Sequence, residues 1–262
     1  MNLLLCACDG VGLETARFLK EAGDFPACLV LDSEDRGAVN DELLNIFSGR
    51  LDVILYSEAL KADSTLDRLI KMELDLGVLA WWPYIIKKRL IEIPRLGFIN
   101  FHPGYLPYQR GKDPNFWALA TGTPFGVTIH HVNEQIDAGG IIARTKIEPD
   151  WEDTGQTLYE KGKIEMLRLF KKIWSDIRSG NMPSIPEDTG DAGDAYLHYR
   201  KDLHAASRID MEKKYTARDL LNLIRARTFP PHPAAWFEER GKIFEVRVEI
   251  REKIQGRSRQ GM

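Results

Sequence analysis

Five short apolar runs in the first hundred residues limit what this chain can become: "NLLLCAC" (2–8), "ACLVLD" (27–32), "DVILYS" (52–57), "LGVLAWW" (76–82) and "GFINFH" (97–102). Runs that are apolar throughout, rather than alternating, describe strands buried on both faces, as in a parallel sheet covered by helices. The segments between them carry helical patterns, such as "VGLETARFLKEAG" (11–23) with its stop at Gly23. "GVTIHHV" (126–132) and "GGIIARTKI" (139–147) follow each other across a short loop, which predicts an antiparallel addition to the sheet. The expected fold is α/β: a doubly wound, Rossmann-like, mostly parallel sheet, followed by a small C-terminal helix plus β-hairpin region.

The boundaries come from composition. A long helix is predicted from about Asp153 to Gly180, with Leu158, Leu167, Phe170, Ile173, Trp174 and Ile177 on its apolar side. "NMPSIPEDTGDAGD" (181–194) is rich in Pro, Gly and Asp and reads as a linker. A helix over 215–228 opens on a capping signature at Thr216 and Asp219. Residues 234–252 alternate as a hairpin around Arg240-Gly241, and 253–262 read as a tail. These divide the chain into a main domain (1–180), a linker (181–194), a small subdomain (195–252) and the tail. Residues 200–262 hold 15 Lys+Arg against 9 Asp+Glu within a chain of net charge −3, a local basic balance suited to an anionic partner.

Three cysteines, an odd number in apolar segments, fit reduced thiols and a cytoplasmic location. The start of the chain lacks the basic segment and length of a signal peptide or membrane span, so no membrane partner is expected. Gly10-x-Gly12 lacks the third glycine of a dinucleotide loop and reads as tight helix packing.

Asn100 and His102 stand on the same side at the C-terminal end of a buried strand, where open α/β sheets place ligands. A carboxamide and an imidazole side by side can stabilise an oxyanion and move a proton. Downstream, Asp137 sits in a loop before Gly139 and Gly140, and a carboxylate there can orient and charge a strand-end histidine.

"NFHPGYLPYQRG" (100–111) followed by "GVTIHHVNEQIDAGGIIA" (126–143) resembles the folate-dependent formyltransferases. The family pattern is N-x-H-P-S-L-L-P-x-x-R-G, then H-x-V-x-x-x-x-D-x-G about thirty residues on; Gly104 and Tyr105 replace its Ser-Leu. The resemblance implies a one-carbon transferase whose co-substrate is N10-formyltetrahydrofolate, with no metal, and with Asn100, His102 and Asp137 as the catalytic trio. It implies folate contacts from Pro83, Tyr84, Ile85 and Ile86 on one side, and from His130, Val132 and the Asp137 loop on the other.

Around "YQRGKDPNFW" and "RARTFPPHP" the chain is similar to the branch that formylates nucleotide-linked amino-dideoxy sugars. That implies a nucleotide-diphosphate amino sugar as acceptor, probed by Tyr105, Gln109, Arg110, Gly111, Lys112, Asn115, Arg225, Arg227 and Phe229. The guanidinium forks match a pyrophosphate. A 4-amino-4,6-dideoxyhexose for lipopolysaccharide O-antigen synthesis and a homodimer are the corresponding expectations. The alternatives are a methionyl-tRNA formyltransferase, for which only about sixty residues after the linker leave little room for a phosphate-backbone surface, and a non-catalytic module that binds folate or nucleotide sugar. An intact trio speaks against the latter.

Overall fold

The computed structural model describes residues 1–185 and 197–253. Its centre is a seven-stranded sheet of order β3-β2-β1-β4-β5-β7-β8. The strands are β1 (Leu3–Ala7), β2 (Cys28–Leu31), β3 (Val53–Tyr56), β4 (Leu76–Ala80), β5 (Phe98–His102), β7 (Phe125–His131) and β8 (Ile141–Ile147); a short β6 (Arg110–Gly111) lies outside the sheet. The first five are parallel, whereas β7 runs antiparallel to both β5 and β8. The order reverses between β1 and β4, so a crevice opens at their C-terminal ends.

Alternation along β1 feeds two cores. Leu3, Leu5 and Ala7 face the cluster beneath α1 (Asp9–Glu21), α2 (Asn40–Ile46) and α6 (Gly155–Arg178), while Leu4, Cys6 and Cys8 face the one holding Leu66 and Leu69 of α3 (Asp63–Ile70) and Leu90 of α4 (Lys88–Ile91). Gly12 lets α1 settle on β1, since a Cβ there would stand 3.1 Å from Ala7. Helix α6 starts one residue after Thr154, whose side chain accepts from the Thr157 N–H in a reciprocal capping box, and it ends near Gly180 at φ +79°.

The C-terminal region comprises β9 (Leu197–His198), α7 (Arg200–Ala206), α8 (Ala217–Ala226) and the hairpin of β10 (Ala235–Glu239) and β11 (Lys242–Val246). Helix α8 begins two residues later than expected, with Thr216 accepting from the Asp219 N–H. The second hairpin strand stops at Val246, because residues 247–252 leave the ladder. Arg240 and Gly241, at φ +51° and +72°, make the turn. Ala226 of α8 joins Phe116, Leu119, Phe125 and Leu158 in a third cluster that ties this region to α5 (Pro114–Thr121) and α6. The expected linker lies for residues 186–194, and the expected tail for 254–262, outside the described residues.

One edge of the sheet is β8. At Ile141 it exchanges two backbone hydrogen bonds with Ile185, of 2.8 and 2.9 Å. Further along, Arg144 and Lys146 are exposed.

Phe98 of β5 lies over Gly77 of β4, where a Cβ would stand 2.2 Å from its ring. Gly77→Ala is therefore expected to destabilise the protein by about 1–3 kcal/mol through overpacking. A thermal melt would show it, and an unchanged midpoint would mean that Phe98 yields freely.

Candidate active site

The C-terminal ends of β1, β4 and β5 open into a cavity of about 860 Å³. Cys8 and Asp9 follow β1, Trp81, Trp82 and Pro83 follow β4, and Asn100, Phe101 and His102 end β5; all line it. This volume suits a small molecule with a cofactor-sized partner.

Strand geometry assembles the floor. Asn100 and His102 share a face of β5, and antiparallel pairing sets His130 opposite Asn100 and Thr128 opposite His102. Thr128 donates to the Gly104 carbonyl at 2.7 Å and accepts from the Leu106 N–H at 3.1 Å, fixing the turn after β5. The Asp137 loop returns so close to β7 that a Cβ on Gly139 would stand 1.7 Å from the His131 carbonyl. Asp137 itself adopts φ +46°.

The resulting cluster is buried and dense. Asp137 Oδ2 lies 3.3 Å from His102 Nδ1 and accepts from the Gly111 N–H at 2.9 Å. Its Oδ1 faces Asn100 Nδ2 at 3.3 Å and His130 Nε2 at 3.6 Å. His130 Nδ1 donates to the His131 carbonyl at 2.8 Å, and its Nε2 stands 3.2 Å from Asn100 Nδ2. Burial alone would raise the Asp137 carboxyl, but the charges and hydrogen bonds of His102, His130 and Gly111 hold it well below the usual carboxylate range. His102 Nε2 lies 3.0 Å from the Gln109 carbonyl, so acceptor oxygens flank both ring nitrogens. The imidazolium alone satisfies both contacts. Burial works against that charge and outweighs Asp137, leaving the histidine below its ordinary value and able to exchange a proton.

Arg110 does not face the cavity. Its Nε and Nη2 donate to the Ile136 carbonyl at 3.0 and 2.8 Å, so it positions the residue before Asp137. Other expected acceptor contacts are also engaged elsewhere. Gln109 is buried against Thr121 and Thr123, and Tyr105 lies under the Arg144 guanidinium. Arg225 bonds the Asp150 and Asp153 carbonyls, at 2.5 and 3.2 Å. Asn115 lines the cavity, but its Nδ2 donates to the Gly155 carbonyl at 2.8 Å and anchors α6. Gly111, Lys112, Arg227 and Phe229 do line the cavity, with Lys112 Nζ 3.2 Å from the Pro83 carbonyl.

Of the expected folate contacts, only Pro83 reaches this cavity together with the trio. Tyr84 bonds Asp32 and Arg36, Ile85 points to solvent, and Ile86 and Val132 pack in the second core cluster. The structure adds lining residues that no local motif marks, Asp9, Tyr159, Arg200 and His204, together with Asp113 and His232 from the two acceptor-side stretches. Trp81 Nε1 donates to the Tyr159 hydroxyl at 2.8 Å, and that hydroxyl donates onward to Asp9 at 3.4 Å. Asp113 Oδ2 and Arg227 Nε are buried with no hydrogen-bond partner. Among the described residues no cluster of His, Cys, Asp and Glu is placed to hold a metal ion, and no helix is long and apolar enough to cross a membrane.

Residues 30–170 match the family model described as formyl transferase, and residues 202–252 match the N-formyltransferase dimerization C-terminal domain. A methionyl-tRNA formyltransferase of Bacillus pumilus is 30% identical over 207 residues, which cover 76% of this chain. The chain spans 63% of that relative's length. A 4-N formyltransferase from Francisella tularensis superposes with a TM-score of 0.78 at 22% identity, covering 96% of this chain and 98% of that one. The formyltransferase of Anoxybacillus kamchatkensis, solved with UDP-4,6-dideoxy-4-formamido-L-AltNAc and tetrahydrofolate, superposes at 0.54 with 25% identity over 78% of this chain and 89% of that one.

The electrostatics of Asp137 set a pH signature. Its ionised form contributes stability throughout the range above the ordinary carboxyl value, and that contribution is lost as the pH falls through its depressed folded value. The stability difference between wild type and Asp137→Asn is expected to stay level from about pH 5 to 8 and to shrink below about pH 4. Denaturant melts across pH would test this; a difference that grows on acidification would contradict the assignment.

Proposed function

Because the chain belongs to the formyl transferase family, we propose that it moves the formyl group of N10-formyltetrahydrofolate onto the amino group of a nucleotide-linked amino-dideoxy sugar. The observation that carries this reading is the buried Asn100–His102–Asp137 cluster at the floor of a cavity with a basic, aromatic outer wall. When bound, the folate supplies the formyl carbon: the acceptor nitrogen bonds to it, the bond to N10 breaks, and tetrahydrofolate leaves. Trp81, Trp82, Pro83 and Phe101 supply apolar walls beside the floor, which fits a planar co-substrate.

Asn100 holds the formyl oxygen by exchanging one of its two long contacts, to His130 or Asp137, for it. His102, held by Asp137, supports the negative charge that develops on that oxygen. Asp137 assists as the attacking amine loses a proton, and a proton is delivered to N10, so the exchange is balanced. Asp137 also fixes the ring of His102, so one carboxylate serves geometry and charge together.

Lys112, Arg200 and Arg227 give the outer wall its positive charge, with Phe229 and His232 beside them. Guanidinium and ammonium groups there suit a diphosphate, and Asp113 Oδ2 and Arg227 Nε suit the hydroxyls of a sugar. The Anoxybacillus protein, solved with a UDP-linked formamido sugar, supports the same acceptor class. Similarity to methionyl-tRNA formyltransferases supports the second reading, in which charged initiator tRNA takes the sugar's place. The match to a dimerization domain supports a homodimer through the hairpin, where Ile243 and Phe244 are exposed.

Release of tetrahydrofolate is expected with a nucleotide-linked 3-amino or 4-amino sugar from a panel; turnover with charged initiator tRNA alone would select the second reading. His102→Ala and Asn100→Ala are each expected to lower kcat by about 10²–10⁴-fold, and wild-type rates in either would dismiss the proposed roles. Ile243→Asp should shift the sedimentation of the protein from dimer to monomer, and an unchanged dimer would exclude the hairpin face.

A further inference from the structure

Three consecutive residues clasp the His102–Asp137 pair from one side. The Gln109 carbonyl faces His102 Nε2 at 3.0 Å, the Arg110 guanidinium grips the Ile136 carbonyl twice, and the Gly111 N–H holds Asp137 Oδ2 at 2.9 Å. This turn is not self-supporting. Gln109 and Gly111 both take positive φ, +59° and +88°, a conformation that a glutamine adopts only when its surroundings impose it.

The support comes from both flanks. Thr121 and Thr123 hold the Gln109 side chain. On the other flank, β6 pairs in parallel with β9, Arg110 opposite Leu197 and Gly111 opposite His198, and the Lys112 N–H donates to the His198 carbonyl at 2.9 Å. The approach is so close that a Cβ on Gly111 would stand 2.1 Å from the His198 carbonyl oxygen. The His198 ring in turn lies flat on Trp117 of α5, with centroids 3.9 Å apart and planes 8° apart. Helix α7 begins two residues after His198, and its Arg200 and His204 line the cavity.

From this we infer that Leu197 and His198 are positioning residues for formyl transfer: the C-terminal region sets the geometry of the His102–Asp137 pair through the β6–β9 ribbon, besides lining the acceptor side of the cavity. The inference rests on the reading of that pair as the transfer centre. The backbone of β9 makes the contact, and the His198–Trp117 stack holds that backbone in place. One segment thus lines the acceptor side of the cavity through α7 and reaches the catalytic pair through the β6–β9 ribbon.

The test uses the full chain with His198→Gly, which removes the stack and frees the backbone, and His198→Phe, which keeps an aromatic ring on Trp117. His198→Gly is expected to lower kcat by about tenfold or more, with KM for folate and acceptor within about threefold of wild type. The His102 titration, followed by NMR of labelled histidine, should shift in the same variant, because its contacts with Gln109 and Asp137 loosen. His198→Phe should restore both. Wild-type kcat and an unmoved His102 titration in a folded His198→Gly protein would overturn the inference, as would a fall in thermal stability alone. If the wild type transfers formyl to no acceptor, the functional reading fails by that result, and the His102 titration still decides whether β9 positions the pair.

Discussion

A carboxylate taken out of water at the end of a sheet stays ionised only if the protein surrounds it with donors. Asp137 meets that demand with groups from three places: Asn100 and His102 on β5, His130 on β7, and the Gly111 N–H on the turn beyond. The antiparallel strand that departs from an otherwise parallel sheet is what brings His130 across from Asn100. Each donor is itself committed. His130 is anchored to the backbone of its neighbour, and His102 is pinned between a carboxylate and a carbonyl. Removing any one leaves the charge underpaired, so the centre acts as a unit rather than as separate side chains.

The cavity above this centre is divided by charge. Near β1 the first turn of α1 would be open to an anion, but Asp9 stands there, with its own Oδ1 accepting from the Gly10 N–H at 2.7 Å and Oδ2 accepting from the Tyr159 hydroxyl. That end of the cavity carries negative charge. Cys8 beside it donates its thiol to the Trp81 carbonyl at 2.8 Å; burial, and then Asp32 and Asp9, push that thiol up to about 12, so it remains neutral. Positive charge collects instead at Lys112, Arg200 and Arg227. In the proposed reading, the phosphates of the acceptor lie toward these cations.

Much of this was legible in the residues because it follows local rules. Continuous apolar runs foretold the parallel strands, and alternation placed Asn100 and His102 on one face. The capping Thr216 and the Arg240-Gly241 turn announced their own elements. Gly12 was legible as a packing glycine. What stayed hidden depends on contacts distant in sequence. Arg110 looked like a ligand-binding guanidinium, yet its partner is a carbonyl 26 residues away. Arg225 looked free for a pyrophosphate but holds the loop before α6. Tyr159 carries no motif at all and reaches Asp9 across 150 residues. A two-residue strand such as β9 has no periodicity to read, so its partnership with β6 emerges only in three dimensions.

The short pairing of Ile141 with Ile185 has its own consequence. An open sheet ends in strands whose unpaired N–H and C=O groups can recruit a foreign strand. At the β8 edge the first residue is already paired on its outer side, and farther along the strand two exposed cations, Arg144 and Lys146, face solvent. At the opposite edge β3 spans only Val53–Tyr56. The sheet therefore offers an intruding chain little continuous, uncharged backbone at either side, and at β8 the cover comes from Ile185, which returns to the edge after α6.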